Sequence, residues 1–533
     1  MNQFARKLFT VSMLLSVVNV NANTVSGKSF FLPHAQNGTA DAIFGQTGAI
    51  HKYDVDHFYG VFKSQTGYYQ SFSNSKIGKY LFFNGTNEMN IGQRETASAN
   101  TDVDILNAQL LLSAYYTGTI QALPKVQTVV SSFDFFFGFN EWVDGLWFQA
   151  QLPLVWTKWN VHLTDLSATP STNQILYDNE YNASTTPAAE GVAQVPPLPY
   201  TSAAAAFRGD ATYGDMTNTW QYGRVDGAQS KTKLGDCHLT LGYDFVSKEN
   251  AHFGLGIHAL LGAGGKSNAE YMFEPIVGYA GRFGVGGTID TAVRLWERDE
   301  EHNFVAWLHG DVYTVFDNNQ VRSFDLVEEM GGVGTRYNLV KKLTGVPSGT
   351  ITYSGEMDSM INVGTQTAKI GMSVAYDVTL MFIYQHGGFC IDFGYTAGGH
   401  SSEKFKSWVT SIEANTYVLW DQQLANAGTT TTAAQAISGT SSEAISGYIV
   451  DATQAAVSSS NYTTYIVDNS KLDTDSALAP SAFANVIFGG VNYCWMDNDW
   501  APCLGGGASV EFSGNGNKTL DLWGIFLQGN VSF

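Results

Sequence analysis

The sequence predicts an all-β chain: a transmembrane antiparallel up-and-down β-barrel of about 16 strands, within a range of about 14–18, carrying long extracellular loops. Three observations predict it. Charged residues make up only 14% of the 533 positions, against about 25% in an average soluble domain, yet mean hydropathy is only −0.08. Beyond the N-terminus no apolar run reaches the roughly 18 residues that a membrane helix needs. Segment after segment instead alternates apolar with small or polar residues, which puts one class of side chain on each face of a strand.

The N-terminus comes first. Arg6 and Lys7 precede a mostly apolar stretch from Leu8 to Val20, and Val20-Asn21-Ala22 fits the small-residue cleavage rule. We expect residues 1–22 to be a signal peptide and 23–52 a periplasmic N-terminal segment, with the barrel over 53–533. Loss of the two basic residues takes the net charge from −20 to −22. Such a chain repels phosphate, so nucleic acid is not an expected partner.

Alternation is clearest in 369–385, where Ile370, Met372, Val374, Tyr376, Val378, Leu380, Phe382 and Tyr384 share one face. In 236–246, Leu239, Leu241, Tyr243 and Phe245 oppose Asp236, His238, Thr240 and Asp244; in 388–396, Phe389, Ile391, Phe393 and Tyr395 oppose Asp392. Residues 282–295 and 131–140 repeat the pattern. A soluble sandwich also alternates, but its strands run about five or six residues, and its outer faces are not built of Gly, Ser and Thr. Strands are expected at 53–63, 76–92, 104–115, 128–140, 145–161, 216–225, 232–246, 251–263, 282–296, 303–316, 319–326, 368–386, 387–396, 484–494, 503–512 and 519–533. With both termini periplasmic, 164–215, 327–367 and 397–483 become outer loops. The links at 317–319 and 385–387 become inner turns, and 264–281 falls on the periplasmic side as an exception.

The polar faces then assign charges to the lumen. Asp134, Asp236, Asp244, Asp290, Asp311, Asp377, Asp392 and Glu511 are assigned inward, against Arg282, Arg294 and Lys369. Acidic rings favour cations, and a barrel of this size encloses water. The expectation is an open channel for small hydrophilic solutes and ions with mild cation preference. The competing class is a non-conducting adhesin or surface-structure barrel working through its loops.

Catalytic motifs are not recognisable, and no enzyme, cofactor or metal is expected. GAGGKS at 262–267 lacks the first glycine of a phosphate-binding loop, because position 260 is Leu. His51, Asp54, Asp56 and His57 are read as the polar end of the first strand. Cys494 and Cys503 flank a turn between neighbouring strands, a spacing compatible with a disulfide in an oxidising compartment; Cys237 and Cys390 have no such partner in sequence.

The final residues, WGIFLQGNVSF at 523–533, set Trp523, Ile525, Leu527, Val531 and Phe533 on one face. They resemble the C-terminal strand of bacterial outer-membrane β-barrels, departing from it at Gly529 and Val531. That resemblance implies recognition of Phe533 by the barrel-assembly machinery, contact with outer-membrane lipid and lipopolysaccharide, and a porin-like homotrimer. AFRGDATYGDM (206–216), YMFEPIVG (271–278) and RSFDL (322–326) resemble porin-like proteins of host-dependent bacteria of the Dependentiae type.

Overall fold

The computed structural model describes residues 25–36, 38–53, 55–92, 103–113, 116–169, 199–299, 302–344, 350–419, 457–458, 466–496, 500–513 and 520–533. The expected signal peptide lies outside them, as do Asp54 and most of the serine- and threonine-rich stretch of the 397–483 loop.

Among the described residues, twelve strands close into a barrel. In chain order they are β1 (Tyr59–Ser71), β2 (Lys125–Gly138), β3 (Leu146–Asn160), β4 (Cys237–Lys248), β5 (Ala251–Leu261), β6 (Gly284–Asp299), β7 (His302–Val315), β8 (Val374–His386), β9 (Phe389–His400), β10 (Ala482–Cys494), β11 (Cys503–Ser513) and β12 (Leu522–Ser532). Each pairs antiparallel with its neighbours in sequence, and β1 also pairs β12, from Val61↔Ser532 to Ser71↔Leu522, which closes the sheet. Phe533 extends the seam by exchanging backbone hydrogen bonds with Gly60, 2.9 and 3.0 Å. A further strand, Ala228–Leu234, pairs the upper half of β3 above the point where β4 ends.

The expected count of about 16 is therefore corrected to twelve. Residues 76–92 and 104–113 form a helix, short strands and a 3-10 turn outside the barrel, the last two residues of the expected strand 104–115 lying outside the described ones; 216–225 is mostly irregular, and 319–326 pairs outside the wall. The expected strand 368–386 is two strands. Thr365–Met372 belongs to an outer sheet, and β8 begins at Val374. Ile370 and Met372 are buried among other apolar residues, whereas the even residues of β8 face outward. Alternation continued through the join because it reports one covered face, not which partner covers it.

Two of the miscounted strands, 216–225 and 319–326, also displace the inside–outside assignment between them. Short turns join the strands at the end that holds Phe533. The five long connections all emerge at the other, including 262–283 and the link at 317–319, both expected at the periplasmic end. Residues 277–279 reach the break between Ala228–Leu234 and β4. There the Tyr279 amide donates to the buried Asp236 carboxylate at 2.6 Å. Gly278, at φ +60, lies so close that a Cβ would stand 2.3 Å from that carboxylate. A side chain does not fit there.

The long connections pack on one another as a cap with its own sheets: four strands within 88–169, three from 318–323, 365–372 and 403–408, and five from 339–467. Tyr80, Met89, Phe207, Trp220, Tyr337 and Met360 are part of its core. At its centre Glu403 lies between Arg282 (2.6 Å) and Arg322 (3.4 Å), all three buried. Burial opposes the charge on Glu403, but the two guanidinium groups outweigh it and hold the carboxyl below its ordinary value. Burial also pushes Arg322 down to about 10, so it is charged at neutral pH. Arg322 stacks 3.3 Å from the ring centre of Phe30, tying the start of the described chain into the cap.

The barrel wall is apolar outside. Phe133, Leu241, Leu255, Phe393, Ile487 and Ile525 project outward, and Ile257 and Leu527 are each 73% exposed. A belt of this extent is not a surface that water tolerates; it suits hydrocarbon.

Two outcomes follow. Ile257→Arg, at the middle of β5, is expected to cost about 2–4 kcal/mol in a bilayer, whereas an exposed site in a water-soluble barrel shifts within about 0.5 kcal/mol; urea unfolding in lipid vesicles measures it. Glu403→Gln leaves two buried arginines without their counter-charge and is expected to cost about 3–5 kcal/mol. Because folding depresses the Glu403 pKa, its contribution is complete above the ordinary carboxylate range and is lost as pH falls through that range. Cap tryptophan fluorescence against pH reads the loss, and a flat profile in wild type is the contrary result.

Candidate functional site: the barrel interior

The lumen is occupied by the chain's own N-terminus. Residues 25–52, expected in the periplasm, start in the cap, where the Gly27 amide donates to the Phe82 carbonyl at 2.8 Å. They then run down the barrel axis to β1. On the way they form a single helical turn, α1 (Thr39–Ile43). A segment this short does not hold a helix alone; the wall holds it. Thr39 donates its amide to Asp377 of β8 at 3.0 Å. Gln149 of β3 donates to the Ala42 carbonyl at 3.2 Å, and Asn530 of β12 to the Gly45 carbonyl at 2.8 Å. Gln65 of β1 donates to Asp41 at 2.8 Å. Phe44 packs edge-on against Phe488 (5.9 Å) and Phe526 (5.2 Å). The plug thus touches strands on every side of the barrel.

The residues assigned inward sort into three groups. Asp134, Asp244, Asp290, Asp311, Asp377 and Asp392 all point into the lumen and are buried there. Asp236 is at the break above β4. Glu511, from β11, lines a cavity beside the plug. Of the cations, Arg282 is in the cap on Glu403, and Lys369 is exposed on a cap strand; only Arg294 is on a barrel strand, where it pairs with Glu297 at 2.6 Å and Glu249 at 3.4 Å near the short-turn end. Cys494 and Cys503 are joined by a disulfide across the turn between β10 and β11.

The acids do not form a water-facing ring. Asp134 stands opposite Lys63, 3.9 Å away and wholly buried, and Asp377 meets His34 of the plug at 3.2 Å. Asp392 accepts from Asn492 at 2.8 Å. Asp244 accepts from Trp147 at 3.0 Å and from His51 of the plug at 2.9 Å. Asp290 is bonded by His252 (2.6 Å), His309 and Trp307 (3.0 Å). Buried charge requires such partners. The sequence reading saw the acids and missed Lys63, His34, His252 and His309. The same parity placed the wall residues inward, so that signal was available. His51, read as a strand end, is buried in the lumen, whereas Asp56 and His57 are exposed.

Between plug and wall lies an internal cavity of about 110 Å³. Val126, Val130, Trp159, Phe44, Phe488 and Phe526 supply its apolar lining, while His34, Asp377 and Glu511 supply polar atoms. A second, wetter pocket of about 370 Å³ opens towards the short turns and is lined by His51, Lys52, His252, Arg294 and Gln385.

No known family model matches the sequence. No curated protein matches it either. Among solved structures, the chain is similar to an outer membrane channel from Pseudomonas putida F1, at 10% identity and a TM-score of 0.36 over 90% of this chain and 96% of that one. It is similar to the Pseudomonas putida toluene transporter TodX, at 8% identity and 0.32 over 97% and 98%. It is also similar to a Pseudomonas aeruginosa FadL homologue, at 8% identity and 0.28 over 97% and 99%.

Phe44→Ala removes the plug's main apolar anchor and is expected to cost about 3–5 kcal/mol of plug seating. Amide exchange over residues 38–50 should accelerate while exchange in the wall strands stays slow. Equal protection in wild type and variant is the contrary result.

Proposed function

We propose that this chain is an outer-membrane channel that admits small, largely apolar molecules past a plugged lumen, rather than an open pore for ions and hydrophilic solutes. The observation that carries the reading is the N-terminal plug, bonded to the wall around the barrel, with an apolar cavity at its flank. An open water path gives diffusion of anything small enough; a plug with a fitted cavity selects by contact. The lumenal acids support this over cation conduction, because each of the six lumenal Asp on the wall is bonded or ion-paired within the interior and so lends little field to a passing ion. The cavity is of the order that takes one small aromatic or short aliphatic molecule, since an engineered dry cavity of about 150 Å³ accepts benzene. Its polar atoms from His34, Asp377 and Glu511 would orient a ligand bearing one hydrogen-bonding group.

The belt of outward apolar residues would sit in outer-membrane lipid beneath lipopolysaccharide, with the cap outside the cell and Phe533 at the periplasmic end. Export through the expected signal peptide and assembly through the C-terminal strand belong to the same reading.

The experiment is a pair of measurements on the full mature chain in vesicles. Toluene, as a probe, should quench or shift Trp159 fluorescence, and Val130→Trp, which fills the cavity, should weaken that binding at least tenfold. Sucrose-driven swelling should stay near the rate of empty vesicles. Fast swelling by the intact chain returns the open porin. No toluene response together with no swelling leaves the adhesin reading, with the cap as the working part.

A further inference from the structure

From the short-turn end of the lumen towards the cap, five histidines and three aspartates fall into two neighbouring groups that the apolar cavity does not use. His51 comes from the plug; His252 is on β5, Asp290 on β6 and His309 on β7, with Asp290 and His309 directly paired across the sheet. The Nε2 of His252 is 2.6 Å from Asp290 Oδ1, and the Nε2 of His51 approaches the same oxygen at 3.6 Å. The two imidazole rings are parallel within 5°, their centres 4.5 Å apart. Two ring nitrogens and a carboxylate oxygen are gathered at one place, all within 4.8 Å of one another.

The hydrogen bonding of His51 says what that point wants. Asp244 is a carboxylate and accepts only, so His51 donates through Nδ1 at 2.9 Å. In the neutral ring this leaves Nε2 as an acceptor without a proton, 3.6 Å from Asp290 Oδ1. A cation placed between the two would be bound by both. One candidate is a proton on His51, with His252 neutral and donating to Asp290. The other is a divalent ion, which would set its charge beside both Asp244 and Asp290. The Asp244–His51 bond is moreover the arrangement that fixes ligand tautomers in metal sites, with a carboxylate holding the nitrogen that faces away from the ion. His51 is held at φ +51, a conformation uncommon outside glycine, which aims its ring at the wall. His51 and His252 also line the pocket of about 370 Å³ at the short-turn mouth, which supplies an entry path.

We infer that His51, His252 and Asp290 bind a divalent first-row transition-metal ion that latches the plug to the wall. Two imidazoles and one carboxylate favour such ions, because calcium and magnesium take oxygen ligands instead. Since one ligand comes from the plug and two from the wall, occupancy stabilises the seated plug and leaves the wall unchanged. The latch does not depend on what the cavity carries. His309 binds the far oxygen of Asp290 and lies 4.0 Å from Asp311, next to a separate trio of His238, His258 and Asp311.

The test is Zn2+ titration calorimetry on the untagged, full mature chain in detergent, with Co2+ absorption reporting the ligand set. Wild type should bind Zn2+ and give the intense visible bands of a low-coordinate Co2+ site. His51→Ala and His252→Gln should each weaken that equivalent at least tenfold, while His258→Ala, in the separate trio, retains it. Zn2+ should also slow protease cleavage within residues 38–52 of wild type and not of His51→Ala. Unboiled gel mobility checks that each barrel is folded, and His252→Gln keeps the wall intact if His51→Ala disturbs the plug. Absence of Zn2+ binding by wild type overturns the site and leaves a protonated His51 in its place. Binding that survives both His51→Ala and His252→Gln overturns it equally.

Discussion

Closure of the sheet is the constraint on which the rest of this molecule depends. Pairing β1 with both β2 and β12 leaves the wall without an edge, so each strand has a hydrogen-bonding partner on both sides. Closure also defines an inside and an outside. Side chains alternate strictly along a strand, so each outward apolar residue commits its neighbour to the lumen. Phe133 outside places Asp134 inside; Phe393 places Asp392.

An inside lined by carboxylates is unstable unless it is wet or paired, and this barrel takes the second course. Twelve strands enclose a narrower space than sixteen, and residues 25–52 fill much of it. Lys63, His34, His51, His252 and His309 then answer acids that in an open pore would face water. The plug is therefore part of the electrostatic structure of the barrel, and its backbone amides and carbonyls are bonded to wall side chains on all sides. The cap completes the arrangement at the other end. Its buried Arg282–Glu403–Arg322 group and the stacking of Arg322 on Phe30 fasten the start of the plug, as the His51 cluster fastens its end.

The wall was legible in the sequence because alternation is a local property of a strand. All twelve barrel strands overlap expected ones, and on six of them Asp134, Asp244, Asp290, Asp311, Asp377 and Asp392 lie on the buried inner face. The four surplus strands failed for one reason. Apolar residues such as Met89, Ile91, Ile105 and Phe324 are covered by cap partners far along the chain, and a covered face reads the same whether lipid or protein covers it. The assignment of ends failed only between 216–225 and 319–326, since each of these shifts the parity by one while the two surplus strands before them cancel.

What the sequence determined by itself is the wall: strands long enough to span, one apolar face on each, and closure at a terminal aromatic strand. Those features follow from neighbours within a few residues. Tertiary structure alone decided what fills the wall. The path of residues 25–52 has no periodicity, and His51 reads as the polar end of a strand until it is seen 3.6 Å from an aspartate 239 positions away. A channel open to water and a channel closed by its own N-terminus share the same strand pattern, because alternation records that a face is polar and not which polar group it meets.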